Sequence, residues 1–218
     1  MRASASAGPE SPEHRWPAFI AVALIVAADA ALPSAFGPVP RIVVPAVAGV
    51  LALALLVYNP HHLTRETSLS RAAGIAIAVV LAVWNQVEVL ATIGALVDGS
   101  AQPRVVLLQA LRVWLTDVLV FGLIYWELDR EGPVARRLSP RPDVVPDFRF
   151  PQEDARGFAA WRPSFLDYAY FSLSNMMAFS PTDAMPLRPR AKVLMALQAF
   201  TGFVLLALVI SRAVNILA

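Results

Sequence analysis

The chain has 218 residues, 57% hydrophobic and 16% charged, with a mean hydropathy of +0.59. Soluble domains run at about 45–50% apolar and about 25% charged, which argues against a soluble enzyme, a disordered chain or a fibrous one. A net charge of +2 is too small for a nucleic-acid binder, and the absence of cysteine excludes disulfides, thiol catalysis, iron–sulfur clusters and Cys-based zinc sites.

Residues 1–16 are small and polar and read as a disordered tail. Glu10 and Glu13 stand where a signal peptide would carry its basic region, so the helix that follows is expected to be retained. Crossing a bilayer core about 30 Å thick takes about 20 mostly apolar helical residues. Four stretches approach this: Pro17–Phe36, Ile42–Tyr58, Ala72–Val97 and Val105–Trp126. The polar segment Glu127–Pro163 then reads as an extended, partly ordered loop. Ser164–Ser180 is apolar but only 17 residues long, and Ala191–Leu217 is long enough to span with some tilt. The expectation is an all-α polytopic membrane helical bundle of five to six hydrophobic segments. It divides into the tail (1–16), a four-helix membrane region (17–126), the polar loop (127–163) and a C-terminal unit (164–218) of short helix, turn and final membrane helix.

Arg and Lys in short loops orient membrane proteins. The tail has Arg2 and Arg15, the second loop Arg65 and Arg71, and the Glu127–Pro163 segment seven Arg; the first and third loops have one each, Arg41 and Arg104. This places the tail, the second loop and the long segment in the cytoplasm. Arg188, Arg190 and Lys192 obey the same rule only if Ser164–Ser180 does not cross.

Ionisable side chains at membrane depth are costly and face the bundle interior or water. Asn85, Glu88 and Thr92 lie at i, i+3 and i+7 on one face of the third span, and Gln109, Arg112 and Thr116 share a face of the fourth, with Asp117 at its flank. A short loop makes these spans antiparallel neighbours, so Glu88 is expected to meet Arg112. The pair has two readings, a structural ion pair that fixes helix register or part of an ion or proton path. Asp29 reads as interfacial or hydrogen-bonded within the bundle. His61 and His62 are adjacent and point apart, so no metal site is expected. The last span carries Gln198, Thr201, Leu205, Leu208, Arg212 and Asn215 at spacings of three or four. That stripe is either a packing face or the lining of a pore or cavity.

Ser164 and Asp167 form a Ser-x-x-Asp helix start. The helix they open is too short to cross comfortably and ends at Pro181. The run Tyr170-Phe171-Ser172-Leu173, with Asp183, Pro186 and Gly202 at the following landmarks, resembles the pore module of the potassium-channel superfamily: pore helix, filter, inner helix. The last 75 residues or so are also similar to an uncharacterised family of bacterial inner-membrane proteins with the same half-helix before a final span, preceded by a loop like Asp147-Phe148-Arg149-Phe150-Pro151. The resemblance implies a re-entrant helix, a homo-oligomer in the inner membrane and monovalent ions as partners. The filter position reads Ala178-Phe179-Ser180-Pro181-Thr182-Asp183, without either glycine. Stacked carbonyls need backbone angles that glycine reaches freely, and Pro181 restricts Ser180 further. Potassium selectivity by carbonyl rings is therefore not expected, and any pore chemistry falls to the side chains of Asn175, Ser180, Thr182 and Asp183.

A module of this type normally follows a span running outward, whereas the Arg count has the fourth span running inward. Making Ser164–Ser180 a short crossing helix gives six spans with both termini inside; making it re-enter keeps the pore layout. The functions in view are a weakly selective cation-conducting oligomer, a non-conducting membrane scaffold of the same fold, and a small transporter using Glu88, Arg112 and Asp117. No Ser/His/Asp cluster, phosphate-cradling glycine loop or metal-ligand spacing points to an enzyme or a cofactor.

Overall fold

The computed structural model describes residues 16–58, 68–99, 102–138, 143–158, 161–177 and 184–217. The helices are α1 Trp16–Ala31, α2 Pro38–Tyr58, α3 Ser68–Asp98, α4 Pro103–Leu128, α5 Pro133–Leu138, α6 Phe165–Met176 and α7 Pro189–Leu217. Two short strands, β1 Phe148–Arg149 and β2 Met185–Pro186, pair antiparallel. α2, α4, α5 and α7 each open on a proline, whose fixed φ suits the first helical position and whose missing N–H would be unpaired there anyway. α1 ends at Ala31, short of the expected Phe36, because Pro33 biases Leu32 away from helix. α3 ends at Gly99, whose φ of +66° takes the left-handed turn and whose N–H reaches the Ala95 carbonyl at 3.3 Å.

The fold is all-α apart from that ribbon. Three helical stretches are long and apolar enough to cross a membrane, Ser70–Asp98, Pro103–Glu131 and Pro189–Val214; Trp16–Ala31 and Val39–Ala54 are shorter apolar helices. α4 lies at the centre, packed against α1, α3, α6 and α7. The outer faces of α3 and α7 present apolar side chains such as Leu90 and Phe200, 69% and 68% exposed, whereas Asn85, Glu88, Gln109, Arg112, Asp117 and Gln198 are buried. Polar inside and apolar outside is the arrangement lipid favours.

The contacts of α6 fix its course against α4. Phe165 stacks edge-on against Trp126 near the C-terminal end of α4, with ring centres 6.0 Å apart. The Tyr168 hydroxyl donates to Asp129 Oδ2 at 2.6 Å, one turn further Ser172 Oγ donates to the Val118 carbonyl at 2.7 Å, and Met176 packs with Val113 and Val118. α6 thus runs antiparallel to α4 for about half its length. By Met185 the chain is back at the starting end, paired with Arg149, and Arg190 donates to both oxygens of Asp147 (2.6 and 2.7 Å). α7 then runs the whole length of α4 and places Arg212 Nη2 3.1 Å from the Gly99 carbonyl. Twelve residues of helix cover about 18 Å. Residues 178–183 lie outside the described residues. Both described flanks of the short helix, the Ser164 side and the Met185 side, sit at the same end of the helix bundle.

That end, the base, is more structured than the expected loop. The Asp129 carboxylate accepts the backbone N–H of Asp147 at 2.8 Å and of Phe148 at 3.3 Å. This holds Phe148 and Phe150 in a buried cluster with Tyr125, Tyr168 and Phe171, at ring separations of 5.0–6.4 Å. The Arg136 guanidinium lies 4.9 Å from the centre of the Tyr168 ring. The predicted capping pair is present, with Asp167 Oδ2 accepting the Ser164 N–H at 2.8 Å.

Candidate functional site

Two polar networks occupy the interior. The first is charged and joins α1, α3 and α4. Arg112, on the buried face of α4, donates Nη2 to Glu88 Oε2 at 2.6 Å, Nη1 to Asp29 Oδ1, and Nε to the Pro33 carbonyl at 2.9 Å. The expected Glu88–Arg112 contact is therefore present, with Asp29 as a second carboxylate on the same guanidinium. The other Glu88 oxygen accepts from Ser34 Oγ at 2.6 Å. Asp29 is 3% and Glu88 and Arg112 are each 1% exposed, so the three charges meet out of water. Arg41 donates to the carbonyls of Asp29 (2.6 Å) and Ala30, tying the start of α2 to the end of α1.

The network continues along α3 and α4 through neutral groups. Gln109 donates to Thr92 Oγ1 at 2.8 Å, and Thr92 donates to the Glu88 carbonyl at 2.7 Å. Thr116 donates to Asn85 Oδ1 at 2.6 Å, and Asn85 donates to Asp117 Oδ1 at 2.7 Å. Gln86 donates to that same oxygen at 2.8 Å, while Asp117 Oδ2 is buried and has no hydrogen-bond partner. The structure thus brings Asn85, Glu88, Gln109, Arg112 and Asp117 together. Asp29, Ser34 and Gln86 complete the set from positions that helical spacing alone does not connect to it. The detectable signal for Asp29 was its charge: an acidic residue near the end of an apolar helix needs a cation, and Arg112 is the one at comparable depth.

The second network is neutral and joins α4, α6 and α7. Gln198 Oε1 accepts from the Tyr125 hydroxyl at 2.8 Å and from Asn175 Nδ2 at 2.9 Å; its Nε2 donates to Ser172 Oγ at 2.6 Å. Asn175 Nδ2 also reaches the Met195 carbonyl at 3.0 Å. Thr201 is buried facing Gln86, with its hydroxyl 3.4 Å from Gln86 Oε1. Leu205 packs with Val89, Val113 and Met176. At Gly202 an added Cβ would overlap the Met176 carbonyl, so only glycine lets the end of α6 lie this close to α7. The Gln198–Thr201–Leu205 stripe is a packing face inside one protomer, and Asn175 is bonded to it. Arg212, at the far end, ties α7 to the α3–α4 turn. Ser180, Thr182 and Asp183 lie outside the described residues, as do His61 and His62.

An all-α chain with apolar spanning-length helices and a buried Arg–carboxylate centre is a membrane-protein type of structure. No protein-family model, no curated protein and no solved structure matches the chain.

Proposed function

We propose that the chain is a multi-pass protein of a cytoplasmic membrane that passes small cations, as a homo-oligomer, at the re-entrant C-terminal module. The observation that carries this reading is the course of α6: a half-length helix enters from one end, the chain returns to that end, and a long helix then runs the full depth. A helix that stops partway through a bilayer ends where lipid tolerates free backbone groups only inside protein or against water. The base carries Arg130, Arg136, Arg149 and Arg190, whereas Arg41 and Arg104 sit at the opposite end. With α6 re-entering, Arg188, Arg190 and Lys192 join the cytoplasmic side, and the positive-inside rule holds with five crossing segments and one that re-enters. The module then enters from the cytoplasm.

With no filter glycines, selectivity falls to side chains, Asp183 foremost, and is weak among monovalent cations. The test is cation flux from proteoliposomes for the wild type and Asp183→Asn. Flux in the wild type and its reduction in the variant are expected; no flux of any tested cation from folded, reconstituted protein overturns the reading. A second reading, a non-conducting membrane scaffold of the same fold, is favoured by one observation. Asn175 and Gln198 satisfy each other within the protomer and are not free to line a passage.

A further inference from the structure

Asp117 stands apart from the other buried charges. It lies about midway along the 26-residue α4 and is 0% exposed. Its Oδ1 accepts two amide N–H groups from α3, and its Oδ2 has no partner. The groups around it are neutral with one exception. α3 contributes Asn85 and Gln86, and α7 contributes Thr201 through Gln86. α6 contributes Ser172, whose hydroxyl is committed to the Val118 carbonyl. On α4 itself, Thr116 faces Asn85 and Tyr125 faces Gln198. The exception is Arg112, and its guanidinium is held by Asp29, Glu88 and the Pro33 carbonyl. Asp29 and Glu88 thus share one arginine, and among the described residues Asp117 has no ion-pair partner. A buried carboxylate with two amide contacts and no countercharge is left with a large desolvation penalty. A single positive charge at Oδ2 removes it.

We propose that Asp117 Oδ2 is the binding site for one small monovalent cation, a proton or Na⁺, inside the α3/α4/α7 contact. Binding there neutralises the carboxylate and removes its uncompensated buried charge. The site is internal to one protomer and separate from the re-entrant segment. It neither requires nor is required by conduction at the module.

The purified full chain in detergent tests this in two arms. In the first, thermal unfolding is followed at fixed pH and ionic strength while Na⁺ replaces N-methylglucamine. In the second, the infrared band of a protonated carboxylic acid is sought in the wild type and in Asp117→Asn, with Glu88→Gln as a control. A Na⁺-dependent rise in Tm that Asp117→Asn abolishes identifies the cation as Na⁺. No Na⁺ dependence, together with a carboxylic-acid band lost in Asp117→Asn and kept in Glu88→Gln, identifies it as a proton. Neither response in the wild type overturns the proposal, as does a response that survives in Asp117→Asn. Asn85→Leu keeps the carboxylate and removes one competing N–H donor. It is expected to tighten the site about tenfold, read as the midpoint of the Na⁺ or pH response. An unmoved midpoint overturns the assignment even where Asp117→Asn fails to fold. Loss of flux at the module leaves both arms readable.

Discussion

The two interior networks have similar depth and opposite chemistry. Between α4, α6 and α7, Tyr125, Ser172, Asn175 and Gln198 are neutral, and each finds its hydrogen-bond partner within the set or on a nearby carbonyl. Between α1, α3 and α4, two carboxylates share one guanidinium, and a third, Asp117, accepts only amide N–H groups and has one oxygen left over. A closed neutral network fixes the seating of helices at modest cost, because nothing in it is charged. A charged network at the same depth is expensive to keep and is the natural place to look for chemistry. The short helix and its turn draw attention to α6 and α7, whereas the unbalanced electrostatics lie next to them, on α3 and α4.

Removing Arg112 should break the contrast most strongly. Arg112→Leu leaves Asp29 and Glu88 buried without a cation, and a loss of about 3–5 kcal/mol is expected, read as a large drop in Tm in detergent. Adding Asp29→Leu and Glu88→Leu to that variant should restore most of the loss, since replacing all partners of a buried ion pair is often neutral. A wild-type Tm for Arg112→Leu alone would mean the three charges are not desolvated together. The neutral side should be softer. Gln198→Leu strands the Tyr125 hydroxyl and leaves Asn175 only the Met195 carbonyl, and is expected to destabilise by about 1–3 kcal/mol, with helicity by circular dichroism unchanged. A loss as large as that of Arg112→Leu would erase the distinction between the networks. The smallest effect belongs to the start of α6, where Ser164→Ala removes half of the capping pair and should cost about 1 kcal/mol. Faster hydrogen exchange confined to the first turn of α6 is the expected signature, and no change in exchange there would count against the pair.

Periodicity and chain length made some of this legible. Glu88 and Arg112 could be matched because a short loop forces α3 and α4 antiparallel and helical spacing then sets their depth. Asp29 joins them from 83 residues away in sequence, and no local pattern encodes that contact. The stripe from Gln198 to Arg212 was visible as a helix face, but a face that seals a protomer and one that lines a pore have the same spacing. Only the partners distinguish them, and Asn175 and Ser172 lie on a different helix. That α6 is a half-length helix was readable from the short apolar run that ends before Pro181. The return to the base rests on the pairing of Phe148–Arg149 with Met185–Pro186, strands of two residues each that are too short to show a periodic pattern.

Asn175 also imposes an order on synthesis. Ser172 finds the Val118 carbonyl on α4, which has already left the ribosome, but both acceptors of the Asn175 amide, Met195 O and Gln198 Oε1, come 20 and 23 residues later. A nascent chain therefore holds α6 only half bonded, and α7 acts as the latch that closes it. A chain released before Gln198 would leave α6 unlatched. Because the sequence contains no cysteine, a single one placed at Ser174 would report that moment directly through its accessibility to labelling.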